Sequence, residues 1–509
     1  MSTLLILNAK IVNENSIIES DIYIRNGRIE KIGKDLSAMK VLHVLDVKGK
    51  HVMPGMIDDN MHVKKTDRST EAHLYSESQA AVAGGITTFF DMPDSLPKTL
   101  DLHILEEKMK QASAKSLVNF SFYLGVSYEN IELIKSLDPN LNCGLKICLG
   151  DARSSMLVDK PEILEEVFKS SPTLIAAHCE DMPAIIENEE SYRQIYGDDI
   201  PLELHPTIRS EQTCYQSAAL AVELAKDHDT RLHVLHVSSA KEVELFGNES
   251  LKEKRITAEV CYPYLDFAED DYVDIDFDSH VDNDLQDDFD EKESDENDSD
   301  EIVEDDNSDN IKIENEAVKE HDRNNNNDDL SHIAKGALIK CNPAIKTEVD
   351  RASLFQGLMN DQLDNIGTAH MTIDLNNKTG NYFQIESGMP SAQYALPSLL
   401  EHYQDGILSL ELIAQKTSHA VADIFNIKER GYIREGYWAD LVVVDIMKPW
   451  IATADTIISS SAWTPYLDKQ FRSSVYATIV NGNLVYINKT VRIDAKKGKR
   501  IEFEREKYD

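Results

Sequence analysis

The sequence lacks the features that mark secreted and membrane proteins. Its six cysteines are scattered, without a CxxC pair or a framework spacing, and this pattern favours a reducing compartment. No apolar run approaches the length needed to cross a membrane. The first eight residues have neither the charged start nor the apolar core of a signal peptide. We therefore expect a cytoplasmic protein without membrane contact.

Basic charge is also scarce, because 52 Lys and Arg residues face 91 Asp and Glu residues, for a net charge of −39. Residues 269–330 hold 28 acidic and four basic residues, so −24 lies in this segment and −15 in the rest of the chain. No basic patch indicates a nucleic-acid partner. A segment of this composition cannot bury a core, and we predict that residues 269–333 form a disordered acidic insertion.

Both ends of the chain have the pattern of short β-strands. Asn26-Gly27 and Asn481-Gly482 each separate two runs rich in β-branched residues, which is a strong hairpin signal. A single hairpin is only marginally stable in water. We therefore predict that residues 1–52 and 430–509 pair into one small β-sandwich domain.

Between these ends, short apolar runs alternate with helical stretches. The runs at 85–90, 144–149, 173–177 and 231–237 are examples of the apolar segments. Strands that alternate with helices indicate βα units around a parallel sheet. Residues 53–268 and 334–429 provide about the length of a TIM-type (β/α)8 barrel, so the predicted fold class is α/β.

Four side chains interrupt or end apolar strands in this central region. His62, His178 and His236 stand at strand ends, and Lys146 lies at the centre of an apolar run. In a barrel, the carboxyl ends of the strands face the active-site mouth, and imidazoles that converge there can bind a metal. A single histidine or lysine of this kind is more often a core residue or a surface-reaching one. Their joint occurrence on successive βα units is more specific.

Longer motifs add a family resemblance. The chain resembles dihydroorotases, most closely a long form found in Bacteroidetes-like bacteria, in the motifs at 81–88, 178–181, 231–236, 256–261, 340–346 and 431–436. The resemblance implies the amidohydrolase fold, in which a distorted barrel carries a β-sandwich built from both chain ends. It also implies hydrolysis of a cyclic amide in pyrimidine biosynthesis, and a homo-oligomer.

The resemblance further implies two zinc ions bridged by a carboxylated lysine. Lys146 matches that lysine, and His178 and His236 match the ligands of the second zinc. His62 matches the second histidine of an HxH pair that binds the first zinc. The other member of this pair is Asn60 in this chain, so the first site has lost one ligand.

The late-strand motif of the family, Thr-Asp-His-Ala-Pro-His, is altered as well. It reads Thr-Ala-His-Met-Thr-Ile at 368–373, which places Ala369 where the family has its metal-binding acid/base aspartate. A methyl group neither binds a metal nor transfers a proton. We therefore predict that no intact catalytic residue remains there, and that the cofactor is one zinc ion at Lys146, His178 and His236.

The predicted substrate-binding positions are Lys64, Asp94 and Asn342. Lys64 stands where the family has an arginine, and it lacks the bidentate fork of that side chain. Asp94 replaces an asparagine and would repel a substrate carboxylate. Ile373 replaces the histidine that completes this subsite. Recognition of an anionic ring is therefore predicted to be weakened.

Three functions remain open at the level of sequence. The chain is a dihydroorotase-like hydrolase with reduced or lost activity, a non-catalytic scaffold, or a hydrolase of a different cyclic amide. A scaffold would act as a protein partner, as inactive dihydroorotase-like chains do for aspartate transcarbamoylase. Zinc content and turnover of dihydroorotate discriminate these readings.

Overall fold

A computed structural model describes residues 2–63, 70–150, 158, 160–273, 333–492 and 495–505. Its strands, in chain order, are β1 Thr3–Asn13, β2 Ser16–Arg25, β3 Arg28–Gly33, β4 His43–Asp46, β5 His51–Pro54, β6 Met56–His62, β7 Ile86–Asp91, β8 Asn119–Phe122, β9 Leu124–Gly125, β10 Leu145–Cys148, β11 Ile175–His178, β12 Leu232–Val234, β13 Ile256–Cys261, β14 Asn365–Gly367, β15 His370–Met371, β16 Leu441–Asp445, β17 Trp450–Ile451, β18 Gln470–Phe471, β19 Ser474–Val480, β20 Asn483–Ile487 and β21 Thr490–Val491.

The helices are mostly short and lie between the central strands. In chain order they are α1 Thr70–Ala83, α2 Leu102–Lys115, α3 Ile131–Lys135, α4 Pro161–Ser170, α5 Met182–Tyr196, α6 His205–Ile208, α7 Glu211–Asp227, α8 Ala240–Val243, α9 Pro263–Asp266, α10 Lys335–Ile339, α11 Glu348–Met359, α12 Ala395–Gln404, α13 Leu410–Ala414 and α14 Ala420–Ile424. A π-helical turn, Gln415–His419, joins α13 to α14. None of the helices described is long and apolar enough to cross a membrane.

Strands from both chain ends form one mostly antiparallel sheet. Its order is β21-β20-β19-β16-β5-β1-β2-β3, with β4 beside β1. The antiparallel pair β5–β16 joins the two ends of the chain. Asn26-Gly27 and Asn481-Gly482 both have positive φ angles, as a two-residue hairpin turn requires. The predicted pairing of the chain ends is confirmed.

The central strands close into a parallel barrel. Its eight positions are β6, β7, β8–β9, β10, β11, β12, β13 and β14–β15. Strand β15 pairs in parallel with β6 and so completes the ring. The eighth position is interrupted at Thr368 and Ala369, between the segment that pairs with β13 and the one that pairs with β6. The predicted (β/α)8 barrel with a small β domain is confirmed.

The edges of the predicted regions differ from the sequence prediction. The segment 495–505, predicted as part of the small domain, pairs with barrel residues through bridges between Phe120 and Arg500 and between Ile427 and Phe503. Glu269–Tyr272 form a 3-10 helix. The remainder of the predicted insertion 269–333 lies outside the described residues, apart from an exposed Val273 and a buried Ile333.

Candidate active site

A cavity of about 720 Å³ opens where the barrel strands end. Its wall contains predicted site residues from several strands and their following loops: His62, Asp94, Lys146, His178, His236, Asn342 and Ala369. Lys64 lies outside the described residues. The barrel therefore brings together the metal-ligand candidates that the sequence predicted separately, because successive parallel strands end at the same edge.

Two of these imidazoles face each other. The nitrogen atoms His178 Nδ1 and His236 Nε2 are 2.9 Å apart. Burial lowers the pKa of His236 well below its usual value, and the neighbouring His178 and Lys146 lower it further. His236 also has a left-handed backbone, with φ of +42°, a conformation that is strained for a non-glycine residue and is concentrated at functional sites. A neutral imidazole at this position has the lone pair that a metal ligand needs.

Lys146 stands beside this pair on the neighbouring strand β10. Burial lowers the pKa of its ammonium group, and Lys146 pairs in register with Ala176, two residues before His178. Among the residues that the structure describes, no hydrogen bond or ion pair engages the Lys146 amine. A deprotonated amine is the form that reacts with carbon dioxide to give a carbamate, and the lowered pKa of Lys146 favours this form.

Glu180 and Arg209 complete this half of the site, and the sequence reading did not single them out. Glu180 Oε2 lies 2.9 Å from His178 Nε2 and 2.7 Å from a guanidinium nitrogen of Arg209. Burial alone would raise the pKa of Glu180, but Arg209 and His178 lower it to about 2. The carboxylate therefore holds a proton on His178 Nε2 and leaves Nδ1 directed at His236. The motif at 178–181 contained the signal for Glu180, whereas nothing local pointed to Arg209.

The other half of the site has a different chemistry. Asn60 Nδ2 donates to Glu259 Oε2 at 2.9 Å, and the backbone N–H of His236 donates to the same oxygen at 2.9 Å. A Cβ atom at Gly367 would lie 1.9 Å from Glu259 Oε1, so only glycine leaves room for this carboxyl. Asn60 is thus engaged in the barrel interior, where the family has a metal ligand.

The late strand adds no ligand to this half. Ala369 lies in the cavity wall with a methyl side chain and a φ of +47°. The adjacent His370 is buried and turns away, because its Nε2 lies 3.0 Å from Glu77 and its Nδ1 accepts from two backbone N–H groups. His370 is therefore a structural residue.

Two of the predicted substrate-binding residues already contact other side chains of the protein. Both carboxylate oxygens of Asp94 lie near His62 Nδ1, at 2.8 and 3.0 Å. Asn342 lines the cavity, and its Oδ1 accepts from Ser387. Ile373 is buried and contributes no polar group. Asp94 thus lines the cavity and contacts His62.

These contacts define which metal the donors fit. Two nitrogen ligands of a tetrahedral zinc ion stand about 3.3 Å apart, so the 2.9 Å spacing of His178 and His236 needs only a small widening. If Lys146 were carboxylated, the three side chains would supply a three-donor set of the kind that binds one zinc ion. In the described part of the chain, no three His, Cys, Asp or Glu side chains are arranged to hold a metal, so this set depends on Lys146. The first metal position, with Asn60 engaged and Ala369 apolar, does not fit.

Comparison with known proteins places this geometry in a family. The model of the amidohydrolase family matches residues 51–485, which span the barrel and part of the small domain. The chain belongs to the amidohydrolase family. It is a dihydroorotase-like member of this family, as the sequence motifs predicted.

Similar proteins cover almost the whole chain. An allantoinase of Desulfitobacterium hafniense is 24% identical over 95% of this chain and 95% of the relative. A dihydroorotase of Methanosarcina acetivorans is 24% identical over 98% of this chain and 95% of the relative. Among solved structures, the L-hydantoinase (dihydropyrimidinase) of Arthrobacter aurescens matches with a TM-score of 0.80, at 22% identity and over 99% and 100% of the two chains. That likeness supports the fold.

Proposed function

We propose that this protein is a dihydroorotase-like cyclic-amide hydrolase whose hydrolytic activity is reduced or lost. The observation that carries the proposal is the methyl group of Ala369 in the cavity wall. Loss of a general acid/base alone commonly lowers a rate about 10²–10⁴-fold. The engagement of Asn60 by Glu259 removes a metal ligand at the same time.

The half-site at Lys146, His178 and His236 would hold one zinc ion, with Lys146 as its carbamate. When bound, such an ion polarises the amide carbonyl of the substrate. Glu180 orients His178 through its hydrogen bond, and Arg209 keeps Glu180 ionised. The cavity thus retains the means to bind and polarise a ring amide, without an acid/base at residue 369.

Asp94 supports a second candidate, a hydrolase of a less anionic cyclic amide. Its carboxylate lies in the cavity wall beside His62, where it disfavours a carboxylate on the substrate. Uncharged rings of the hydantoin or dihydropyrimidine type would avoid this repulsion. A role in pyrimidine biosynthesis, a cytoplasmic location and a homo-oligomeric state belong to the proposal as well, and light scattering of the purified chain tests the last of these.

The test is a ring-opening assay of the zinc-saturated protein with dihydroorotate, allantoin, hydantoin and dihydrouracil. The dihydroorotase of Methanosarcina acetivorans is assayed beside it. We expect dihydroorotate turnover at least about 10²-fold below that of the relative. A rate within about tenfold of the relative would refute the proposal. Turnover of the uncharged rings in preference to dihydroorotate would favour the second candidate.

The double variant Asn60→His with Ala369→Asp tests the proposal in the opposite direction. It restores both donors of the first metal position, so we expect it to hydrolyse dihydroorotate faster than the natural protein. The single variant Ala369→Asp restores the acid/base group alone and separates its contribution from that of the metal ligand.

A further inference from the structure

The first metal position retains one histidine, His62, without the other side chains that would bind a metal with it. His62 has lost both potential co-ligands, because Asn60 donates to Glu259 and residue 369 is alanine. Its Nδ1 faces the carboxylate of Asp94 at 2.8 and 3.0 Å. Among the described residues, His62 Nε2 makes no hydrogen bond, and the side chain is 19% exposed at the cavity wall.

We propose that His62 and Asp94 form an imidazole–carboxylate dyad that transfers the proton during opening of the cyclic amide, in place of the side chain missing at residue 369. The proposal deepens the proposed function and rests on it, since it concerns the residual hydrolysis in the same cavity. His62 is the catalytic residue of the dyad, and Asp94 is the positioning residue.

The position of the dyad in the barrel supports this role. Strand β6 ends at His62, and it pairs with β15, where Met371 is the register partner of His62 and His370 that of Met61. Ala369 directly precedes this paired segment. His62 therefore lies on the strand next to the altered position, at the same edge of the barrel and in the wall of the same cavity.

The hydrogen bonds fix the tautomer that such a role needs. A carboxylate can only accept, so the contact with Asp94 places a proton on His62 Nδ1, and the neutral imidazole then presents its lone pair at Nε2. A carboxylate that orients an imidazole in this way also stabilises the imidazolium formed during catalysis. The titratable groups that interact electrostatically with Asp94 include Asp91, Lys108 and Lys146, and the imidazole of His236 interacts with His62.

The proposed reaction balances as an ordinary hydrolysis. Water attacks the ring carbonyl, a C–O bond forms, and one water proton moves to His62 Nε2. The tetrahedral intermediate then collapses, the ring C–N bond breaks, and the His62 imidazolium returns the proton to the leaving nitrogen. The remaining hydroxyl proton dissociates from the new carboxylic acid. No oxidant, reductant or further reactant is needed.

The experiment compares turnover and zinc content in His62→Gln, Asp94→Asn and the control His103→Gln, whose histidine is exposed on α2. With the ring that the natural protein opens fastest, we expect His62→Gln to lower kcat about 10²–10⁴-fold while zinc per chain stays unchanged. Asp94→Asn should lower kcat with little change in KM. In ¹⁵N-histidine spectra, Asp94→Asn should also lose the predominance of the Nδ1–H tautomer. His103→Gln should match the natural protein.

Three results would overturn the dyad. A loss of zinc in His62→Gln would make His62 a metal ligand, and unchanged kcat in that variant would remove its catalytic role. If the natural protein opens none of the rings, the dyad is refuted while the proposed function, a reduced or lost activity, still stands. Turnover of dihydroorotate at the rate of the Methanosarcina relative would instead refute the proposed function. Asp94→Asn preserves the size of the side chain, so its kcat remains informative even where His62→Gln folds poorly.

Discussion

At the residue scale, the side chains of Asp59, Asn60 and Glu259 form a buried polar cluster in the barrel. Burial and the neighbouring negative charge raise the pKa values of Asp59 and Glu259 to about 8. Asn60 donates to Glu259, and His233 and Asn365 contact Asp59. Burial therefore favours the protonated form of both carboxyls.

The substitution Glu259→Gln tests this cluster. For a carboxyl whose pKa is raised in the folded state, the stabilisation is complete below the unfolded-state pKa of about 4 and is lost as the pH rises through about 8. The glutamine amide keeps an acceptor for Asn60 and cannot ionise. We expect urea unfolding to show similar stability near pH 5 and higher stability near pH 9 than the natural protein, so the loss between these pH values becomes smaller.

Glu187→Gln, at an exposed position of α5, is the control for this substitution. It should leave the pH dependence of the free energy of unfolding unchanged. Parallel pH profiles for Glu259→Gln and the natural protein would contradict the account of the cluster.

The sequence predicted the ligand candidates at this scale but not their partners. His62, Lys146, His178 and His236 were recognised because strand patterning fixes where a strand ends and barrel geometry fixes what that end faces. Glu259 lay within a recognised motif, yet its role depends on Asn60, 199 residues away. Such contacts are set by tertiary packing, which local patterning does not encode.

At the element scale, the eighth barrel strand is interrupted at Ala369, and the backbone there has the conformation expected of a functional residue. Ala369 has a φ of +47°, between β14 and β15. Alanine in the left-handed region is strained by about 1–2 kcal/mol, whereas Asp and Asn tolerate it better. The backbone at residue 369 therefore suits a carboxylate or amide better than the methyl group now present.

The substitution Ala369→Asn should consequently stabilise the protein by up to about 1 kcal/mol. The side chain lies in the cavity wall, so its polar end remains near solvent. Ala184→Asn in helix α5 is the contrasting control, since asparagine has lower helix propensity than alanine. Urea unfolding measures both, and a lower stability for Ala369→Asn than for the natural protein would contradict the strain argument.

The elements themselves were largely predictable, because both Asn-Gly hairpins and the βα alternation leave strong local signals. The sequence did not predict that the segment 495–505 leaves the small domain for the barrel. Arg505 accounts for this difference, since its buried guanidinium donates to the carbonyl oxygens of Pro139, Asn142, Cys143 and Phe425. These acceptors become available only after the barrel has formed.

At the scale of the whole molecule, the acidic insertion interrupts the barrel between two elements that lie side by side. The ammonium group of Lys335 in α10 donates a hydrogen bond to Asp271 in the 3-10 helix Glu269–Tyr272. A Cβ atom at Gly336 would lie 2.5 Å from the Tyr272 carbonyl oxygen, so the two backbones are in close contact. A short linker can therefore connect the 3-10 helix to α10 in place of the insertion.

Replacing residues 274–332 with a short Gly-Ser linker should leave the free energy of unfolding and the zinc content unchanged. Arg505→Ala is the matched comparison, because it deprives several buried carbonyls of their donor and should cost about 3 kcal/mol. Urea unfolding and metal analysis measure both variants. A large loss of stability or zinc on excision would show that the insertion takes part in the fold or the site.

Under the proposed function, the site keeps one metal position and has lost the other. Native mass spectrometry of the zinc-saturated protein tests it most directly, because it counts zinc ions per chain and detects a carbamate on lysine. We expect one zinc ion per chain, lost in His178→Gln and retained in His62→Gln. Two zinc ions per chain, or a zinc ion that persists without His178, would contradict the account.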